Sequence, residues 1–199
     1  MKRTLLALTL LATLAMVSAQ DKLPRNEALK LACLVSADLK QLQGTPLATD
    51  VDIKYPVAIR QGEYGGMVLP EAKLTRETLA KAGSRAVPVG QLWLLKLTPM
   101  KDGEAISSDK LRLATLPYKN EQVTVPQCAL GVRRSSAGSL ELLVYGKDKE
   151  PLLALPLQKI NQTQDTPIDL EAEAGSASGT VTLKILGTYE AKLQVTELP

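Results

Sequence analysis

Residues 180–196 read TVTLKILGTYEAKLQVT and contain two strand candidates separated by Gly187. A glycine between two such runs suits a tight turn or a bulge. Strands at short spacing with turn signals between them favour a sandwich or a barrel over alternating β-α-β units. The sequence therefore predicts a mainly β fold, an antiparallel β-sandwich or barrel-like domain. Further strand candidates precede this pair, at residues 90–99, 110–116, 121–126, 128–134, 139–145, 152–160 and 168–173.

An earlier strand is predicted at residues 50–60, DVDIKYPVAIR. Its apolar and aromatic side chains alternate with polar ones, which is typical of a half-buried strand. Pro56 cannot donate a backbone hydrogen bond, so it places this run at a sheet edge or at a break. Residues 64–69 form a second short candidate. By contrast, residues 90–99 (GQLWLLKLTP) begin with apolar side chains at consecutive positions, which predicts a central strand buried on both faces.

Two helices are predicted among the strands. Residues 26–43 (NEALKLACLVSADLKQLQ) repeat apolar side chains at the spacing of an amphipathic helix, with Asn26 at the start and Gly44 at the end. Part of this stretch also alternates as a strand would, but its length and its content of Ala, Leu, Lys and Gln favour the helix. Residues 74–83 predict a short second helix that Thr75 caps and Gly83 terminates.

The first 19 residues predict a secretory signal peptide. Lys2 and Arg3 precede an apolar run, and the small residues Ser18 and Ala19 precede a cleavage point at Gln20. The alternative is an uncleaved N-terminal anchor, for which the apolar run is short. We therefore expect a secreted or periplasmic protein, with a polar lead at residues 20–25 and a single β-rich domain at residues 26–199.

The charge of the mature chain argues against a nucleic-acid partner. Removal of Lys2 and Arg3 lowers the formal net charge from +3 to +1, because no acidic residue is lost with them. The longest run of basic residues left is the pair Arg133–Arg134, whereas nucleic-acid patches usually carry five or more. No later stretch approaches membrane-spanning length, so we expect no membrane span after signal cleavage.

Cys33 and Cys128 are the only cysteines of the chain. In an exported protein such a pair typically forms one disulfide. A bond between them would close a long loop, which is worth about 4–5 kcal/mol in the chain-entropy model. The alternative is two separate thiols that behave as small apolar side chains. The sequence predicts the disulfide.

The chain contains no histidine, which limits its chemistry. Ser-His-Asp catalysis, Cys-His catalysis and imidazole zinc sites are excluded. A histidine-free hydrolase could still use paired carboxylates, and its candidates are Asp50, Asp52, Glu63 and Glu71. A glycan-binding or small-molecule-binding module would need exposed aromatic side chains, and its candidates are Trp93, Tyr64 and Tyr145. We predict no enzyme activity, no cofactor and no metal site.

A cluster of glycines surrounds one tyrosine in residues 61–70, QGEYGGMVLP. The spacing of Gly62, Gly65 and Gly66 fits neither standard phosphate-binding fingerprint, and no helix begins directly after them. The glycines instead predict a bend or bulge between two short strands. Tyr64, with little side-chain bulk beside it, is then predicted to be exposed. We take Gly62, Tyr64, Gly65 and Gly66 as the candidate partner-contact surface.

These observations predict an exported, non-catalytic protein with a binding or scaffolding role in the cell envelope or medium. Its partner would be an envelope protein or a glycan. The alternatives are a glycan-binding or small-molecule-binding module and a histidine-free carboxylate hydrolase.

Overall fold

The computed structural model describes residues 21–39, 46–118 and 121–198. The predicted signal peptide and the last residues of the first predicted helix lie outside this part of the chain. The described residues form a mainly β structure with two antiparallel sheets and two α-helices, as the strand pattern predicts. Helix α1 is Arg25–Leu39 and helix α2 is Arg76–Ala80.

The strands run in chain order from β1 to β14, with a short 3-10 helix at Ser108–Lys110. Their bounds are β1 Asp21–Lys22, β2 Val57–Gln61, β3 Tyr64–Pro70, β4 Val87–Leu95, β5 Leu97–Lys101, β6 Glu104–Ala105, β7 Arg112–Tyr118, β8 Glu121–Arg134, β9 Leu140–Tyr145, β10 Leu153–Pro156, β11 Gln158–Lys159, β12 Ile168–Ala174, β13 Gly179–Ile185 and β14 Tyr189–Glu197.

The large sheet has eight strands in the order β1-β2-β3-β4-β8-β9-β10. Strand β7 joins it by pairing with the first half of β8, whose second half pairs with β9. Strand β4 lies on the other side of β8, so it is a central strand, as its consecutive apolar residues predict. The small sheet has six strands in the order β12-β13-β14-β5-β6, with β11 paired to β14.

One aliphatic core fills the space between the two sheets. The large sheet contributes side chains such as Leu92 and Leu130, and the small sheet contributes Leu170, Leu183 and Leu193. Burial of each such leucine stabilises the fold by about 1.5–3 kcal/mol relative to exposure. We call the face of the large sheet that lines this core its inner face.

The small sheet shows the alternation expected of a sheet with one solvated face. In β12, the buried Ile168 and Leu170 alternate with Asp169, Glu171 and Glu173, which lie on the opposite face. The apolar side chains of β12 therefore face the shared core, and its acidic side chains face away from it.

The second face of the large sheet, which we call the outer face, is also covered. Ala28, Ala32 and Val35 recur at helical spacing on α1 and pack against a second cluster that includes Met67 and Trp93. Small side chains at two of the three helical positions let α1 lie close to the strands. Further along, Leu47 and Ala86 pack on a third cluster, made of Ala129, Leu143 and Tyr145.

Several strand boundaries differ from the predicted ones. The run at residues 50–60 is a strand only from Val57, because residues 53–55 form a turn. Val51, before this turn, makes only an isolated bridge to Glu71. The run at residues 90–99 is divided between the two sheets: β4 ends at Leu95, Lys96 adopts a left-handed φ of 56°, and β5 begins at Leu97 in the other sheet. Residues 121–126 and 128–134 form one continuous strand, β8.

The structure does not contain the predicted disulfide. Cys33 is exposed on α1, over the outer face of the large sheet, whereas Cys128 is completely buried on the inner face, in the shared core. The strand thus separates the two thiols. The prediction was wrong because it considered cellular compartment and loop length, and neither specifies the face on which a side chain lies.

Candidate functional site

An apolar cleft lies between α1 and the outer face of the large sheet. It has a volume of about 90 Å³, and its walls come from α1 and from strands β2, β3, β4, β7 and β8. Among the described residues, Arg60 is the one charged side chain in its lining. Representative lining residues are Leu31, Leu34, Met67, Trp93, Leu116 and Val125.

Strand register explains how the floor of this cleft is assembled. Ala58, Met67 and Trp93 are Cα partners across three neighbouring strands, and all three belong to the outer-face cluster. Side chains that are directly opposite on one face of a sheet are in contact range. The wall above them is helical, and Leu34 on α1 is 41% exposed at the mouth of the cleft.

Gly65 keeps the next row of the floor free of side-chain bulk. It is the Cα partner of Arg60 on one side and of Leu95 on the other, and it lines the cleft. A Cβ atom at Gly65 would lie 3.0 Å from the carbonyl oxygen of Ile59 and 3.7 Å from the Cβ of Leu95. A larger residue would therefore crowd the backbone and occupy space beside the cleft.

Two buried polar atoms on the outer face of the large sheet have no hydrogen-bond partner among the described residues. They are the indole Nε1 of Trp93, a donor, and the side-chain oxygen Oε1 of Gln127, an acceptor. Trp93 is 3% exposed and Gln127 is 1% exposed, so bulk water does not solvate either group. An unsatisfied buried polar group costs about 1–3 kcal/mol. Unpartnered buried groups of this kind are uncommon in native proteins.

A short chain of hydrogen bonds fixes Gln127 in place. Its Nε2 donates to Oε1 of Gln91 at 3.3 Å, and Nε2 of Gln91 donates to the hydroxyl of Thr49 at 2.7 Å. Thr49 belongs to the segment that covers the outer face after α1. The two bonds link the covering segment to β4 and β8.

The predicted partner-contact residues lie in three places. Gly65 and Gly66 line the apolar cleft, whereas Gly62 forms the tip of the β2-β3 hairpin with a φ of 61°, as a two-residue loop requires. Tyr64 is half-buried and lines a smaller crevice between the two sheets. Partial burial, together with the nearby carboxylates of Glu197 and Glu63, raises the pKa of Tyr64.

The hairpin tip is held by contacts that account for its polar residues. Glu63 forms an ion pair with Lys96, and Nε of Arg60 donates to the carbonyl oxygen of Gly62 at 2.8 Å. The structure therefore joins the glycine cluster to the β4-β5 junction. The glycine spacing identified the hairpin, but the apolar cleft at its base was not predicted.

The carboxylates considered for hydrolysis do not all meet. Glu63 lies at the hairpin tip, whereas Asp52 and Glu71 line a polar groove of about 460 Å³ with Asp165. Glu71 is 7% exposed, and burial raises the pKa of its carboxyl group. Its Oε2 accepts the backbone N–H of Asp50 at 2.7 Å. This bond fastens the covering segment to the end of β3, which gives Glu71 a structural role.

The aromatic candidates for ligand contact are mostly enclosed. Trp93 and Tyr145 are buried, so neither presents a ring to solvent as a sugar platform would. The cleft was missed in the sequence because its walls combine residues between Leu23 and Val125, most of which belong to one helix and five strands. One signal was available: Trp93 is the one tryptophan of the chain, and a buried indole N–H normally requires a partner.

The described residues show neither of two other kinds of site. They contain no group of three or more His, Cys, Asp or Glu side chains placed to hold a metal ion. No helix in the described part of the chain is long and apolar enough to cross a membrane. No protein family, no curated protein and no solved structure matches this chain.

Proposed function

We propose that this protein is an exported, non-catalytic β-sandwich that binds a short apolar molecule in the cleft between α1 and the large sheet. The observation that supports the proposal most strongly is the lining of the cleft, in which apolar side chains from α1 and five strands surround a single charged residue among those described, Arg60. Ligand sites are typically apolar with a few placed polar groups that orient the ligand.

The size of the cleft limits the ligand. Its volume of about 90 Å³ is smaller than the roughly 150 Å³ apolar cavity that holds one benzene molecule. The cleft therefore suits a short alkyl segment rather than a whole lipid chain. Its apolar lining also disfavours a free sugar, whose hydroxyl groups would lose their hydration without enough partners.

Fluorescence of Trp93 tests this proposal directly, because the protein has no other tryptophan. We expect n-butyl bromide, a small apolar quencher, to quench this fluorescence with saturation and n-pentanol to compete with it. A quenching that rises linearly without saturation, or competition by glucose but not by n-pentanol, would contradict binding in the apolar cleft.

Two leucines provide matched variants for the same titration. Leu34 at the mouth of the cleft and Leu113 on β7, outside its lining, are both 41% exposed. We expect Leu34→Glu to weaken n-pentanol binding about tenfold or more, because it brings a charge to an apolar site. Leu113→Glu should bind like the unmodified protein. Equal losses in both variants would place the ligand elsewhere.

Export is the second part of the proposal, and it is supported by the charged, apolar and small-residue segments of residues 1–19. Production of the full chain in a bacterium should give a mature protein that begins at Gln20 in the periplasm or medium. N-terminal sequencing checks this. A full-length chain that stays in the cytoplasm would contradict export and leave the binding proposal intact.

A histidine-free hydrolase is the second candidate, and the specific observation in its favour is the raised pKa of Glu71 in a polar groove with Asp52 and Asp165. A raised carboxyl pKa is typical of a general acid. Against it, the Glu71 carboxylate already accepts the Asp50 N–H. A panel of glycoside substrates tests it: hydrolysis that Glu71→Gln abolishes would favour the enzyme.

A further inference from the structure

We propose that the ligand of the apolar cleft is a short-chain carboxylate. Its alkyl tail lies in the cleft, and its carboxylate group binds the guanidinium group of Arg60 at one end of the cleft floor. This inference rests on the proposed function, because the alkyl tail is the short apolar segment proposed there. It adds the chemical class of the head group.

Arg60 lies on the same face of the large sheet as the floor of the cleft. It follows the outer-face residue Ala58 by two positions on β2, and alternate side chains of a strand point to the same face. Its Cα partners are Asp21 on β1 and Gly65 on β3. Because Gly65 has no side chain, no group on β3 separates Arg60 from Leu95, the next residue of this row on β4. Arg60 and Leu95 both line the cleft.

The guanidinium group of Arg60 is held at one nitrogen and keeps free donors at the other two. Its Nε donates to the carbonyl oxygen of Gly62 at 2.8 Å, which fixes the group toward the tip of the β2-β3 hairpin. Among the described residues, Nη1 and Nη2 have no hydrogen-bond or ion-pair partner. The paired N–H donors of an arginine match the two oxygens of a carboxylate. The cleft therefore ends at a positioned cation with donors available to a ligand.

Two carboxylates near Arg60 in the sheet do not neutralise its charge. Asp21, its Cα partner on β1, is exposed and forms no ion pair with the described residues. Glu63, at the hairpin tip, forms an ion pair with Lys96 instead. The positive charge of Arg60 is thus left unpaired within the described part of the chain.

The contrast between the apolar cleft and its charged end identifies an amphiphilic ligand. Away from Arg60 the lining is built from side chains such as Met67, Trp93 and Leu116, where a charged head group would lose its hydration without a partner. At Arg60 the same head group gains charge-assisted hydrogen bonds. One arginine balances one negative charge, which favours a carboxylate over a doubly charged phosphate. The volume of about 90 Å³ limits the tail to a few carbon atoms.

Two ligands with the same tail test the inference. Pentanoate and pentanamide have the same carbon chain and planar head groups of similar size, but at neutral pH only pentanoate is charged. We expect pentanoate to bind about fivefold more tightly, because an ion pair at a partly exposed site contributes modestly. The preference should fall to about twofold or less in about 1 M sodium chloride, which screens charges beyond roughly 3 Å. The dissociation constants come from NMR titrations that follow the single indole N–H signal.

Variants assign the preference to one arginine. Arg60→Met keeps an unbranched apolar side chain and removes the charge, so pentanoate and pentanamide should bind within about twofold of each other. Arg134→Met is the matched control. Nη1 of Arg134 also donates to a glycine carbonyl oxygen near a hairpin tip, that of Gly138 at 2.8 Å, but Arg134 does not line the cleft. It should keep the full preference. If Arg60→Met does not fold, Arg60→Gln takes its place and should lose the preference in the same way.

The outcomes separate this inference from the proposed function. Equal binding of pentanoate and pentanamide by the unmodified protein overturns the carboxylate assignment and leaves the apolar cleft as a binding site. Failure of pentanoate, pentanamide and n-pentanol to bind overturns the proposed function. A preference that survives in Arg60→Met, or that is lost equally in Arg134→Met, would place the carboxylate elsewhere and overturn the role of Arg60.

Discussion

The two faces of the large sheet are built from the same strands and differ in how they are closed. The inner face carries aliphatic side chains such as Leu92 and Leu130 and meets the equally apolar small sheet. The outer face is covered by α1 through small side chains, and it includes Gly65, a cleft and two unsatisfied polar atoms. The comparison indicates that the inner face supplies stability, whereas the outer face holds the cleft that we propose as a binding site.

Differential labelling of the cysteines is the strongest test of this contrast. Cys33 on α1 is exposed, whereas Cys128 is buried on the inner face, and burial raises the pKa of its thiol to about 12. We expect iodoacetamide to modify Cys33 alone in the folded protein and both cysteines in urea, without prior reduction. Intact mass checks this. If neither cysteine is modified until the protein is reduced, the two cysteines form a disulfide. That result would contradict their placement on opposite faces of the sheet.

Truncation of one leucine on each face comes next in expected effect. Leu130 on the inner face and Leu69 on the outer face are both completely buried. Leucine-to-alanine changes cost about 2–5 kcal/mol, depending on how far the site can collapse. We expect the Leu130→Ala loss to be near the upper end of this range and the Leu69→Ala loss near the lower end. The reason is that α1 can move toward the strands and reduce the cavity that Leu69→Ala leaves.

Urea denaturation measures both losses in the free energy of unfolding. Leu113→Ala, at an exposed position, is the control and should stay within about 0.5 kcal/mol of the unmodified protein. A larger loss at Leu69 than at Leu130 would reverse the comparison and make the outer face the more tightly packed one.

A glycine pair gives a smaller effect that depends on the cleft. Gly65→Ala would place a Cβ atom 3.0 Å from the Ile59 carbonyl oxygen, so we expect a loss of about 1–2 kcal/mol and weaker n-pentanol binding. A Cβ atom at Gly83 meets nothing within 4 Å, so Gly83→Ala should be neutral or slightly stabilising. Unchanged n-pentanol binding by Gly65→Ala would show that Gly65 is not part of the binding site.

The pH dependence of Glu71 is the smallest effect. Its carboxyl group holds the Asp50 N–H in the segment that covers the outer face, and burial raises its pKa above the usual 4.5. A raised pKa means that the folded state binds the proton more tightly than the unfolded state does. Stability from this group is therefore greatest at low pH and declines as pH rises through the folded pKa.

Urea denaturation between pH 4 and pH 7, at about half-unit steps, compares the unmodified protein with Glu71→Gln. The stability advantage of the unmodified protein over the variant should shrink as pH rises. An advantage that grows with pH would mean that the folded state favours the ionised carboxylate and would contradict the buried environment of Glu71.

Local features of this fold were predictable from the sequence. Thr75 caps α2 as predicted: its hydroxyl accepts the backbone N–H of Thr78. Gly187 lies in the turn between β13 and β14, with the positive φ that a glycine readily adopts. These signals involve residues a few positions apart, so the sequence alone contains all the atoms that decide them.

The features that depend on which elements meet could not be predicted. The cleft requires α1 to pack on Met67 and Trp93, and the disulfide is prevented because Cys33 and Cys128 lie on opposite faces. The division of residues 90–99 between sheets depends on Lys96, whose backbone conformation is uncommon for a residue with a side chain. Nothing in its local sequence predicts that conformation.

That left-handed lysine has a mechanical consequence. Leu95 lines the cleft on the outer face, Leu97 lines the crevice between the sheets, and Lys96 alone separates them. A glycine at this corner could adopt many backbone conformations, whereas a lysine can adopt far fewer. The Lys96 side chain also forms an ion pair with Glu63. The restricted backbone of Lys96 therefore fixes the angle at which the chain leaves the large sheet and enters the small one.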